Sequence, residues 1–110
     1  ADSPLYLTVA EQISEWDKGG QCMLVTGATY PEELAQVRAV VGDMPLLVPG
    51  VGAQGGSIKE VVAAGMDSQG YGLVVSSSRG IIYAGEGEGF AEQAGVQAAL
   101  VKQDINQAKG

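Results

Sequence analysis

Three short apolar runs alternate with helical stripes along a chain of only 110 residues. The runs are Cys22-Met23-Leu24-Val25, Leu46-Leu47-Val48 and Tyr71 to Val75. Each is continuously apolar rather than alternating, the mark of a strand covered on both faces, and such strands run parallel. Helices join them. Ser3-Pro4 offers a capping hydroxyl and a helix-starting proline ahead of Leu5, Val9, Ile13 and Trp16 at helical spacing, and Lys18-Gly19-Gly20 closes that helix. Pro31-Glu32-Glu33 opens a second helix with acids at its positive end, and Leu34, Val37, Val40 and Val41 form its stripe. Ser57-Ile58-Lys59-Glu60 is a capping box that starts a third helix, ending near Gly65. The last helix carries Ala94, Ala98, Val101 and Ile105. The expectation is α/β, with about three parallel strands alternating with four helices and right-handed crossovers. Three parallel strands do not make an ordinary domain, so residues 1–110 are expected to form one segment of a barrel or of an open sheet.

Composition narrows the chemistry. The chain is 45% apolar and 17% charged, which reads as globular and soluble. A net charge of −7 argues against nucleic acid or an anionic membrane as the main partner. There is no histidine, which removes Ser-His-Asp triads and the usual zinc sites. Cys22 is the one cysteine, so no intrachain disulfide forms. No clustered carboxylates suggest an oxygen-ligand metal, no apolar run is long enough to span a membrane, and no signal-peptide pattern opens the chain. The expectations are therefore no histidine- or thiol-built metal site and a reduced, cytoplasmic setting. Because the chain starts with Ala1 rather than Met, it is expected to be processed, tagged or cut from something longer.

Two loops stand out. Gly50-Val51-Gly52-Ala53-Gln54-Gly55-Gly56 follows a strand and precedes a capped helix. Such glycines let backbone amides approach an anion, although the same stretch also suits a plain tight turn. Gly50, Gly52 and Gly55 fit G-x-G-x-x-G, but Asp67 precedes the next strand instead of ending it, and no Lys precedes Ser57. Both dinucleotide-binding and P-loop readings are therefore weak. Arg79 follows three serines at the end of the third strand, where a guanidinium beside hydroxyls and a backbone amide suits phosphate. Elsewhere, such an arginine would read as a surface ion-pair partner. In (β/α)₈ barrels, however, the loops after the last two strands commonly hold phosphate. Glu32 and Glu33 read as helix-start acids, Trp16 and Phe90 as packing residues, Cys22 as a strand residue, and Glu86 and Glu88 as solvated loop acids.

At these loops the sequence resembles the orotidine 5′-phosphate decarboxylase family. The matching stretches are Leu47 through Gly56 and Ser77-Ser78-Arg79-Gly80-Ile81-Ile82-Tyr83-Ala84. Gly27-Ala28-Thr29-Tyr30-Pro31-Glu32-Glu33-Leu34 resembles its longer bacterial, mycobacterial-type branch. The resemblance implies a (β/α)₈ TIM-type barrel that converts orotidine monophosphate to uridine monophosphate and CO₂ without metal or cofactor. It implies that Gln54 bridges the phosphate and pyrimidine sides, that Arg79 pairs with the phosphate, that the Ser78 amide donates to it, that Gly55 also belongs to the phosphate-binding set, and that Val51 lines the base pocket. The family's Asp-x-Lys-x-x-Asp motif is missing. None of Lys18, Lys59, Lys102 and Lys109 has Asp two places before or three places after. No catalytic residue is therefore expected in this chain, which reads as the C-terminal part of the barrel, strands six to eight with their helices. It is expected to bind a nucleotide monophosphate, and to form homo-oligomers or pair with the missing N-terminal part. A free-standing binding module and a self-associating truncated homologue are the alternatives.

Overall fold

The computed structural model describes residues 3–51 and 57–110. Its elements are α1 (Leu5–Trp16), β1 (Leu24–Val25), α2 (Pro31–Val41), β2 (Leu46–Pro49), α3 (Ile58–Gly65), β3 (Leu73–Ser76), a short α4 (Arg79–Ile82), a 3₁₀ turn (Gly87–Gly89) and α5 (Phe90–Ala108). The strands form one parallel sheet in chain order, β1-β2-β3. That sequential order, with a helix between successive strands, is the repeat of a (β/α) barrel. The described helices include one more α-helix than the sequence suggested, because the turn after Ser78 closes into α4.

Local chemistry moved the strand starts. β1 was expected from Cys22 but begins at Leu24. The amides of Gln21 and Cys22 donate to Asp17 Oδ1 at 2.6 and 3.0 Å, which diverts them from the ladder. β3 was expected from Tyr71 but begins at Leu73. The Tyr71 amide donates to Asp67 Oδ1 at 2.8 Å, and Gly72 turns at φ +86°, a conformation that favours glycine. Ser3 does not cap α1. Pro4 takes the N-cap position, with no side-chain cap bond, and its carbonyl accepts from Leu7 and Thr8. The third helix behaves as expected: Ser57 Oγ accepts from the Glu60 amide.

The core lies on one face of the sheet. Leu46 and Val48 of β2 are fully buried beneath Leu34 and Val37 of α2 and Val61 of α3, with Val51 and Ala10 of α1 in the same cluster. Among the described residues, no helix covers the other face. Side chains alternate along a strand, so the register row Val25–Leu47–Val74 points away from Leu46 and Val48. Val25 is 68% exposed and Val74 is 52% exposed. In a closed barrel this is the inward face. The expected α1 stripe is also largely uncovered: Leu5, Val9 and Trp16 are exposed, and Ala10 is the helix's buried residue.

Candidate functional site

β2 and β3 start the two notable loops on neighbouring tracks. Their last paired residues are Pro49 and Ser76, so the chain leaves both strands at the same end and on adjacent tracks. At Gly50 it turns with φ +88°, a left-handed conformation that favours glycine. Val51 follows and is buried in the core cluster, so its side chain anchors the start of the glycine loop. Gln54 and Gly55, the other expected ligand residues of this loop, lie outside the described residues.

On the neighbouring track, Ser77 is half-buried and Ser78 is the N-cap of α4. The Ser78 carbonyl accepts from Ile81 and Ile82 at 3.2 and 2.8 Å, which winds the turn. Arg79 is the first residue of that turn, and its side chain is exposed. An exposed guanidinium at the first turn of a helix, beside hydroxyls, can grip an anion by charge-assisted hydrogen bonds. Gly80 allows the close packing: a Cβ there would lie 3.2 Å from Ser77 Oγ.

Other candidates fall to structural roles. Glu32 and Glu33 lie in the first turn of α2. Cys22 sits just before β1, and its thiol is pushed up by desolvation and then by the Asp17 carboxylate, which keeps it protonated. Among the described residues, no group of three or more His, Cys, Asp or Glu gathers to hold a metal, and no helix is long and apolar enough to cross a membrane.

Nothing in the sequence pattern pointed to Arg38. It lies at the opposite end of the sheet from Arg79, and its guanidinium donates to the carbonyls of Gly65, Gly42, Met44 and Gly72 at 2.6–3.0 Å. It ties the end of α3 to the entries of β2 and β3. Partial burial lowers its pKa, while Asp67 and Asp43 oppose that shift.

No family model matches the sequence. Individual proteins do. The chain is 57% identical over 102 residues to an orotidine 5′-phosphate decarboxylase of Janthinobacterium sp. (strain Marseille), covering 92% of this chain and 37% of that protein. The fold superposes on Leishmania donovani UMP synthase with a TM-score of 0.84 at 38% identity, over 99% of this chain and 23% of that one. Leishmania donovani OMP decarboxylase superposes with a TM-score of 0.81 at 35% identity, over 99% of this chain and 40% of that one.

The chain is a segment of the orotidine 5′-phosphate decarboxylase family.

It spans less than two fifths of the length of the curated decarboxylases it matches, 37% and 39% for two of them. Its three parallel strands accordingly make part of a (β/α) barrel rather than a closed one. A cavity of about 750 Å³ lies away from the Ser78–Arg79 turn. It lies along the open edge of β1 and is lined by Leu5, Val9, Val25, Thr26, Tyr30 and Glu33 among others.

Proposed function

We propose that this chain is the phosphate- and nucleotide-binding C-terminal segment of an orotidine 5′-phosphate decarboxylase, strands six to eight with their helices. In this reading the ligand is orotidine or uridine monophosphate. Arg79 pairs with its phosphate, the Ser78 amide donates to it, and Gly55 and Gln54 complete the grip from the glycine loop. Val51 supports that loop next to the base. The pairing of Pro49 with Ser76 carries the proposal, because it sends both loops out from one end of the sheet side by side. Ligand loops at the C-terminal ends of parallel strands are the barrel's usual arrangement. The setting that goes with the reading is cytoplasmic.

The segment would bind without turning over. Protonating the carbon that loses CO₂ needs a positioned acid, and no lysine here stands in the Asp-x-Lys-x-x-Asp pattern. Calorimetric titration with uridine monophosphate and with uridine tests the proposal. Binding of the monophosphate at least tenfold tighter than the nucleoside supports it. Equal affinity for the two would overturn it and leave a self-associating truncated homologue as the better reading.

A further inference from the structure

The turn that carries Arg79 does not hold its own position. α4 is four residues long, and none of them is buried. A single helical turn is unstable by itself in water, so its place is set by what it leans on. The element it packs against most is α5, which in turn packs on α3. The chain leaves α4 through Tyr83 and Ala84, whose amides donate to the Arg79 and Ile81 carbonyls at 3.1 and 3.3 Å. It then reaches Gly85. A Cβ at Gly85 would lie 2.6 Å from Gln93 Cβ and 2.7 Å from Gln93 Cγ of α5. The backbone of Gly85 is not in the left-handed region, so its φ would accept a side chain. What is missing is space: the bare backbone of Gly85 lies flush on the start of α5.

We infer that Gly85 and Gln93 are positioning residues for the phosphate grip: their contact sets how far the Arg79 turn stands from α5. The inference deepens the phosphate reading above and rests on it. Gln93 Cβ is fixed by the α5 backbone, so no rotamer of Gln93 moves it aside. Carbon atoms in ordinary contact sit about 3.5–4.0 Å apart, so a methyl group at position 85 would push the loop outward by about 1 Å. The hydrogen bond from the Tyr83 amide to the Arg79 carbonyl passes that shift into α4. With no buried side chain of its own, α4 has nothing in the core to resist it. Hydrogen bonds weaken steeply with distance and angle, so a shift of this size loosens the hold of Arg79 and the Ser78 amide on a phosphate.

The test titrates uridine monophosphate and uridine into the full chain and its variants. Gly85→Ala should weaken monophosphate binding about tenfold and leave uridine as in wild type, because only the phosphate contacts shift. Adding Gln93→Gly, which removes the obstructing Cβ, should restore the monophosphate affinity. Adding Gln93→Ala, which keeps that Cβ, should not. Gly89→Ala, where a Cβ meets nothing within 4 Å, should behave as wild type. Unchanged monophosphate affinity in Gly85→Ala would overturn the inference. So would an equal loss for both ligands, the mark of a merely structural role, and so would failure of Gln93→Gly to restore binding. Any of these, with Arg79→Ala still abolishing the preference for the monophosphate, would leave the phosphate reading standing. A wild-type chain with no such preference would remove the phosphate reading, and the role of Gly85 with it.

Discussion

The Arg38 guanidinium donates through Nε to the Gly65 carbonyl at 2.7 Å, joining residues that are 27 positions apart. Its other nitrogens reach Gly42, Met44 and Gly72. Arg38→Ala would leave the part-buried carbonyls of Gly65, Met44 and Gly72, and the exposed one of Gly42, without this donor. Hydrogen bonds to charged groups contribute about 1.5–3 kcal/mol each, and orphaned acceptors cost more. Partial solvent access discounts that sum, so a loss of about 2–3 kcal/mol is expected. Arg38→Lys should recover little, because an ammonium cannot present the planar fork. Urea unfolding of the three proteins measures both effects.

Gly65 ends α3 against the core. A Cβ there would lie 2.9 Å from Leu73 Cδ2 and 3.0 Å from Leu34 Cδ2. Leu34 is fully buried, so its side chain would have to repack within the core. Gly65→Ala should therefore destabilise by about 1–3 kcal/mol through overpacking, less the gain in helix propensity. A lower urea midpoint at unchanged slope is the expected signature.

Asp43 supplies a pH dependence. Its carboxylate accepts from the Ser68 amide at 3.1 Å and from the Ser68 hydroxyl at 2.8–3.0 Å. These bonds hold its pKa below the ordinary value, outweighing partial desolvation, with Arg38 assisting. For a depressed folded pKa, the stabilisation is complete above the unfolded value, roughly pH 4. It is lost as pH falls through the folded value. Wild type should therefore exceed Asp43→Asn in stability at pH 7, and the gap should close below about pH 4. Thermal melts from pH 7 to pH 3 give the comparison.

Catalysis should be absent. The pure chain is expected to release no CO₂ from orotidine monophosphate above the uncatalysed rate, because it lacks the positioned lysine. Mixed with the complementary part of the related decarboxylase, it should give partial activity. Turnover by the pure chain would place a proton donor here that the lysine pattern does not provide.

How far the sequence could be read depended on how local the cause was. The apolar runs at Leu46–Val48 and Leu73–Val75 gave the strands directly, and the Ser57–Glu60 box gave the start of α3. Strand starts were less legible, because Asp17 and Asp67 capture amides through side-chain bonds that propensity does not encode. Arg38 was invisible for the opposite reason: two of its partners lie 27 and 34 residues away. The bare face could not be read either. A continuous run such as Leu46-Leu47-Val48 is equally apolar on both sides, so only the fold reveals that Leu46 is buried while the row through Val25 and Val74 is uncovered. For the site, Ser78 and Arg79 lie on an exposed turn after β3, Val51, expected to line a base pocket, is buried in the core instead, and Gln54 and Gly55 lie outside the described residues.

The central claim is that Arg79 grips the phosphate of a nucleotide. It is tested by titrating uridine monophosphate and uridine into the wild-type and Arg79→Ala chains. Arg79 is exposed, so removing it should not disturb the fold. Loss of a charge-assisted pair worth about 1.5–3 kcal/mol should weaken monophosphate binding roughly 10- to 100-fold. Uridine, which has no phosphate, should bind both chains alike. Unchanged monophosphate affinity in Arg79→Ala would contradict the account.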